Sequence, residues 1–169
     1  NSKNMKELLM NQPGVGKETA TTLVLNLPEL GRVTRREIAA LTGTAPFNYD
    51  SGNHTGKRFT RFGRKGIRSL LYMATRAALN SKNENDYHRR FNHLSKITNL
   101  KGGRTYMQVI MACMRMMIVR LNGITRDWIA KGKPDYKTYT KMKEEEKKKQ
   151  EEEQKQKEQA KQEKNNQEQ

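Results

Sequence analysis

Apolar residues along the chain recur mostly at intervals of three and four, and the stretches between them are rich in glycine or charge. Met5, Leu8 and Leu9 predict a short helix over Met5–Met10, ended by Pro13, which disfavours helix at the residue before it. Ala20, Leu23, Val24 and Leu27 predict a second helix over Lys17–Leu27. Thr34-Arg35-Arg36-Glu37 has the form of a capping box, with Thr34 as N-cap and Glu37 reaching back. The helix it opens runs to Thr42, with Ile38 and Leu41 inward and Gly43 just past its end. Ile67, Leu70, Leu71, Ala74 and Ala78 trace one face of a helix lasting to Leu79. Tyr87, Phe91 and Leu94 mark another short one, capped at Asn83 or Asn85. From Val109 to Val119 only Arg115 is polar, and a helix apolar nearly all round is usually central to its domain. This helix is expected over Tyr106–Leu121, stopped by Asn122-Gly123, with Trp128 and Ile129 folding back over the core. Met107, Met111, Met114, Met116 and Met117 read as core filling, with a share in a partner surface.

One stretch fits no helical period. Gly43 to Arg68 holds five glycines and Pro46, and a connection this long inside a compact domain is usually functional or disordered. Disorder alone does not account for Phe47, Tyr49, Phe59 and Phe62, nor for Lys57, Arg58, Arg61, Arg64, Lys65 and Arg68. No acidic residue lies between Asp50 and Glu84. Basic residues interleaved with aromatics and glycines suggest a loop that meets a phosphate backbone. Asp50-Ser51-Gly52 at its centre reads as a tight turn.

Charge sharpens the picture. The 169 residues carry 34 Lys and Arg against 18 Asp and Glu, a net charge of +16. Residues 141–169 hold nine of each sign and, apart from Met142 and Ala160, only Lys, Glu, Gln and Asn. The whole excess therefore belongs to the part ahead of the tail, and it favours a polyanionic partner. The tail favours helix but has no apolar stripe to dock it, so a solvated helix or disorder is expected. No long apolar span or signal-like start is expected, and a membrane role is disfavoured. The start at Asn1 rather than Met is expected to mark a fragment or a processed product. The single cysteine, Cys113, excludes an internal disulfide and a cysteine-rich zinc site and fits a reducing compartment. His88 and His93 lack metal-ligand partners at useful spacing, so no metal site is expected in this chain.

Two places could hold phosphate. Pro13-Gly14-Val15-Gly16 between the first two helices has the look of a helix-hairpin-helix turn, where backbone N–H groups at a helix start face an anion and Lys17 adds charge. An ordinary tight turn between two core helices is the competing reading. The second place is the start of the helix after the loop. Arg64, Lys65 and Arg68 crowd a helix N-terminus, where the dipole disfavours cations and a bound phosphate would relieve the repulsion. A solvated basic face is the alternative.

Several of these residues recur together in a known family. Pro13-Gly14-Val15-Gly16, Ala20, Leu41-Thr42-Gly43-Thr44-Ala45-Pro46, Ser51-Gly52 and Gly63-Arg64-Lys65-Gly66-Ile67-Arg68-Ser69-Leu70-Leu71 follow its order. So do Tyr87 and a late apolar helix ending near Pro134-Asp135-Tyr136. The set resembles the C-terminal transposase domain of the DEDD-type insertion-sequence transposases, relatives of the pilin-gene invertase described as bridge-RNA-guided recombinases. The resemblance spans residues 8–136, with Phe47 where relatives often carry a basic residue. It implies that Ser51 is the nucleophile in DNA strand exchange. It also implies a separate N-terminal domain, similar to a Holliday-junction resolvase, whose four carboxylates hold magnesium. The segment ahead of the hairpin is too short for such a domain, so this chain is expected to bind DNA yet be inactive alone, with no cofactor of its own. A guide RNA, a homo-oligomer and a prokaryotic cytoplasmic setting are further implications.

The expected fold is all-α. A helix-hairpin-helix part (1–45), a basic serine loop (46–66) and a helical part (67–136) precede a charged low-complexity tail (137–169). The candidate site residues are Ser51 for catalysis and Gly14, Val15, Gly16, Lys17, Lys57, Arg58, Arg61, Arg64, Lys65 and Arg68 for DNA. A non-catalytic helix-hairpin-helix module that clamps nucleic acid is the rival reading, with Ser51 only a turn residue.

Overall fold

The computed structural model of the chain describes residues 2–48, 50–53, 56, 58–64, 66–98 and 105–167, without the side chains of 97, 98, 157 and 159–167. Lys57 and Lys65, two of the expected DNA contacts, lie outside the described residues. The fold is all-α: seven helices and no strand occur among the described residues. They are α1 (Ser2–Met10), α2 (Lys17–Asn26), α3 (Arg35–Leu41), α4 (Ile67–Leu79), α5 (Asp86–Thr98), α6 (Tyr106–Ala130) and α7 (Tyr136–Gln167). The chain forms two compact units, Asn1–Lys133 and Pro134–Gln169.

In the first unit, α6 is the helix the others gather on. It packs against α1, α3, α4 and α5, while α1 packs on α2 and α2 on α4. Ile110, Met114, Met117, Ile118 and Leu121 of α6 are fully buried, facing a core that includes Leu9, Leu23, Ile38, Ile67, Leu71 and Tyr87. The expected capping box opens α3: the Glu37 amide donates to Thr34 Oγ1, and the Glu37 carboxylate accepts from the Thr34 amide at 2.7 Å. Asn85, not Asn83, caps α5, its Oδ1 accepting from the amides of Tyr87 and His88 at 3.0 and 3.1 Å. His88 answers with Nδ1 on the Asn85 amide, and its Nε2 lies 2.7 Å from the Leu79 carbonyl. Both ring nitrogens thus serve the α4–α5 corner.

Two expectations are corrected by α6. It does not stop at Asn122-Gly123 but continues to Ala130, with Thr125 and Trp128 buried on the same face as Leu121. Asn122 stays in the helix because its buried amide has partners elsewhere. Its Oδ1 accepts from the Gly31 amide and its Nδ2 donates to the Val33 carbonyl, both at 2.8 Å. By length and composition α6 is also long and apolar enough to cross a membrane, although no such span was expected. The reason is its role as hub, since a helix covered on several sides is apolar on several sides.

The second unit is almost entirely α7. Its described side chains are mostly exposed, and ion pairs at helical spacing run along it, Lys143 to Glu146 at 3.3 Å and Lys147 to Glu151 at 3.7 Å.

Candidate nucleic-acid interface

The hairpin turn divides its four candidate residues into two pairs. Gly14 (φ +80°) lies against α4, where a Cβ would come 2.1 Å from the Ala74 carbonyl oxygen and 2.8 Å from Ala78 Cβ. Val15 is buried beside it in the core. These two seat the turn on α4. Gly16 is the N-cap of α2 in extended conformation, with open space where a Cβ would be, and Lys17 is exposed. The face available to an anion is therefore Gly16, Lys17 and the first amides of α2, shared with the acidic Glu18 in the same turn.

The central loop is closed at its base. Gly43 and Gly63 meet backbone to backbone: a Cβ on Gly63 would fall 2.2 Å from the Gly43 nitrogen, and one on Gly43 would fall 1.9 Å from the Phe62 carbonyl oxygen. The Arg64 amide donates to the Leu41 carbonyl at 2.8 Å. Thr42 and Thr44 fasten the preceding helix end, their buried hydroxyls donating to the Ile38 and Ala39 carbonyls at 2.9 and 3.3 Å. This accounts for the Leu41–Pro46 motif as the C-terminal closure of α3.

Two arginines expected to clamp phosphate are used inside this base. The Arg64 guanidinium binds the Glu29 carboxylate through both terminal nitrogens and also donates to the Asn26 carbonyl at 2.6 Å. Arg68 donates to the carbonyls of Thr60 and Arg61 at 2.9 and 3.3 Å, tying the descending strand of the loop to α4. Crowding of cations at the start of α4 is thus relieved for Arg64 by a carboxylate and for Arg68 by loop carbonyls. The hydrogen bond from Arg64 holds the Glu29 carboxyl below its ordinary pKa. A depressed carboxyl pKa means that the contact stabilises the fold above the ordinary carboxylate range and that this is lost as pH falls through the lowered value. Acidification should therefore loosen the loop base, shifting the Gly63 and Arg64 amide resonances. Glu29→Gln should lack this transition, and identical titration in both proteins would refute the assignment.

Above the base, Phe47 and Phe59 pair in an antiparallel bridge with N···O distances of 2.8 and 3.4 Å. Phe62 joins Phe47 edge to face, with ring centroids 5.1 Å apart. The three rings stay 48%, 37% and 62% exposed in the order Phe47, Phe59, Phe62, an apolar cluster left open to solvent. At the tip, the Asp50 Oδ1 accepts from the Gly56 amide at 3.1 Å, and Gly52 (φ +54°) turns the chain. Ser51 sits between them, exposed, and Arg58 and Arg61 are exposed on the returning strand.

A groove of about 1100 Å3 opens beside this loop. Its walls come from the start of α3, the loop, α5 and α6, and they carry Arg35, Arg36, Arg58, Arg90 and Arg115, with no acidic side chain among the described lining. None of the five arginines is ion-paired among the described residues. The α6 side of the groove is mainly apolar, with Met107, Met111, Met116 and Val119 beside Gln108 and Arg115. Of the α6 methionines, Met114 and Met117 are core, while these three others line the groove. Four of the five arginines were not among the sequence candidates. For Arg115 the signal was the four-residue stripe Met107, Met111, Arg115, Val119, which puts a charge on an otherwise apolar helix face, while Arg35, Arg36 and Arg90 carried no such signal.

Cys113 offers no second nucleophile, because burial pushes its thiol pKa up and keeps it protonated.

A family model described as Transposase IS116/IS110/IS902 family matches residues 6–92, more than half of the chain. The chain belongs to that family. None of the curated proteins matches it. The matched span starts in α1, contains the hairpin, the closed loop and α4, and ends in α5. The transposase assignment therefore covers Ser51 and every candidate arginine of the loop, and it gives the chain a role in transposition, a process carried out on DNA.

Proposed function

We propose that this chain is the DNA-contacting and nucleophile-bearing part of a transposase of the DEDD type. The observation that carries the reading is the build of the loop. Its base is held by close glycine contact and two internally used arginines, its tip presents Ser51, and Arg58 and Arg61 are exposed on the same loop. A fixed base and an exposed hydroxyl on a loop that carries cations suit attack on a phosphodiester, where developing negative charge must be met by positioned donors.

In this reading Ser51 Oγ attacks phosphorus. A serine–phosphate ester forms, the bond to one deoxyribose oxygen breaks, and that oxygen leaves as a hydroxyl after taking a proton. A second DNA hydroxyl then attacks the ester, restores a phosphodiester and returns the serine. Arg58 and Arg61 bear on the phosphate, with Gly16 and Lys17 as a further backbone contact; Arg64 and Arg68 act by holding the loop. Among the described residues no His or Lys side chain is paired with Ser51, the carboxylate of the adjacent Asp50 accepts from the Gly56 amide, and no group of three His, Cys, Asp or Glu side chains could hold a metal. The described residues do not fit a metal site. Activation of Ser51 comes from outside this chain, from a separate nuclease-like domain with carboxylates and magnesium, and the chain is inactive alone. Kinship with the pilin-gene invertase, a guide RNA and a homo-oligomeric assembly belong to the same proposal.

That no His or Lys is paired with Ser51 among the described residues also favours the rival, a non-catalytic module that only clamps DNA. The separating experiment uses the full-length gene product with magnesium, element-end DNA and guide RNA, and maps any covalent protein–DNA adduct by mass spectrometry. An adduct on Ser51 that disappears in Ser51→Ala is expected. Strand exchange proceeding without one would assign the attack to water or a DNA hydroxyl and leave the chain as a clamp.

A further inference from the structure

Of the groove beside the loop, the serine reading uses only Arg58. Five arginines line the groove together with an α6 face that carries Met107, Met111, Met116 and Val119. The cations are held by separate elements: Arg35 and Arg36 on the first turn of α3, Arg58 on the loop, Arg90 on α5 and Arg115 on α6. Phe59 forms part of the wall, and it belongs to the exposed ring cluster with Phe47 and Phe62.

A duplex meets a protein with phosphates and with the edges of stacked pairs, so methionine side chains and an open phenylalanine face find no partner on it. An unpaired strand offers both things the groove has room for. Its phosphates suit arginine guanidinium groups, and its exposed base faces suit aromatic and soft apolar side chains. The family acts on DNA, which selects the kind of strand. We infer that this groove binds an unpaired DNA strand, with phosphates on Arg36, Arg58 and Arg90 and a base against Phe59. This rests on the reading of the chain as the DNA-contacting part of a transposase, but not on Ser51 being the nucleophile. Arg115 stands between Met111 and Val119 on α6, half-buried, and adds a positive charge to that side of the groove.

The test is fluorescence anisotropy of the full 169-residue chain with a labelled oligo-dT strand, a DNA hairpin duplex and an oligo-U strand of equal length. The variants are Arg36→Ala/Arg90→Ala, Phe59→Leu and, as control, Ser81→Ala, an exposed residue between α4 and α5. Arg36 and Arg90 are exposed, so the double variant keeps the fold, which its thermal melt checks. The double variant should weaken oligo-dT binding about tenfold or more and lower the salt slope by about 1.4, two phosphates at 0.7 each on a single strand. Phe59→Leu should weaken it about fivefold or more with the slope unchanged, as loss of a stacking face would. Duplex affinity should change less than about threefold in both. Ser81→Ala should bind the strand like the native chain, and because the readout is binding without strand exchange, loss of the nucleophile reading leaves this result standing. Equal losses on strand and duplex would make the groove a general phosphate surface. No loss on the strand would empty it. An oligo-U strand bound more tightly and lost in the same variants would assign it to RNA, and displacement of oligo-dT by polyglutamate from the native chain alone would assign it to an acidic protein. Each of these four results overturns the inference.

Discussion

Replacing Gly63 with alanine is expected to lower the melting temperature of the chain by about 6–12 °C and to open the central loop to protease. The backbone there has φ +107°, outside the range that L-residues with a side chain readily adopt. The new methyl group would also lie 2.2 Å from the Gly43 nitrogen and 2.6 Å from its Cα, where the obstacle is backbone and cannot rotate away. Left-handed strain of about 1–2 kcal/mol and the forced separation of the two segments together put the cost at about 3 kcal/mol. The separation would also stretch the bond from the Arg64 amide to the Leu41 carbonyl and the grip of Arg64 on Glu29. Trypsin is the natural reporter, because Arg58 and Arg61 lie in the exposed part of the loop. A variant that melts and digests like the native chain would show that the two glycines are not in contact.

The second large effect is expected at Asn122. Truncation to alanine should cost about 2–3 kcal/mol, because it strands the Gly31 amide in the interior and removes one partner of the Val33 carbonyl. Arg126 also donates to that carbonyl, so the unpaired amide is the larger loss. In a chain of this size the melting temperature should fall by about 4–12 °C. Its neighbour Gly123 gives the opposite sign. It is exposed within α6 with open space around it, and Gly123→Ala should stabilise by about 0.5–1 kcal/mol by favouring helix. Thermal melts of the two single variants are sufficient. Stabilisation at Gly123 alone would still support a continuous α6, whereas destabilisation there would mean that the helix breaks as Asn-Gly ordinarily suggests.

Local rules carried the reading where the chemistry was local. Thr34 and Glu37 lie three residues apart and cap the same helix end, so their pattern was legible. The same holds for Asn85 at the start of α5 and for the turn between α1 and α2. Asn122 misled because its local preference for a helix end is outweighed by partners at Gly31 and Val33, some ninety positions away in sequence. The arginines divide in the same way. Charge runs made Arg58, Arg61, Arg64 and Arg68 equally visible, but nothing near Arg64 in sequence announces Glu29 as its partner. The groove was the least legible feature. Arg35, Arg90 and Arg115 belong to three helices that come together only after folding, and its methionine-bearing side has the same composition as a core.

The contact between Gly43 and Gly63 also separates the length of the loop from the stability of the helices. Because the two ends are already joined, residues added between Gly52 and Asn53 would enlarge a closed ring rather than draw α3 away from α4. Closing a ring twice as long costs only about 0.6 kcal/mol more. The tip is in this sense an interchangeable cassette. Insertions or deletions at the tip are therefore expected to leave the melting temperature of the helical frame nearly unchanged.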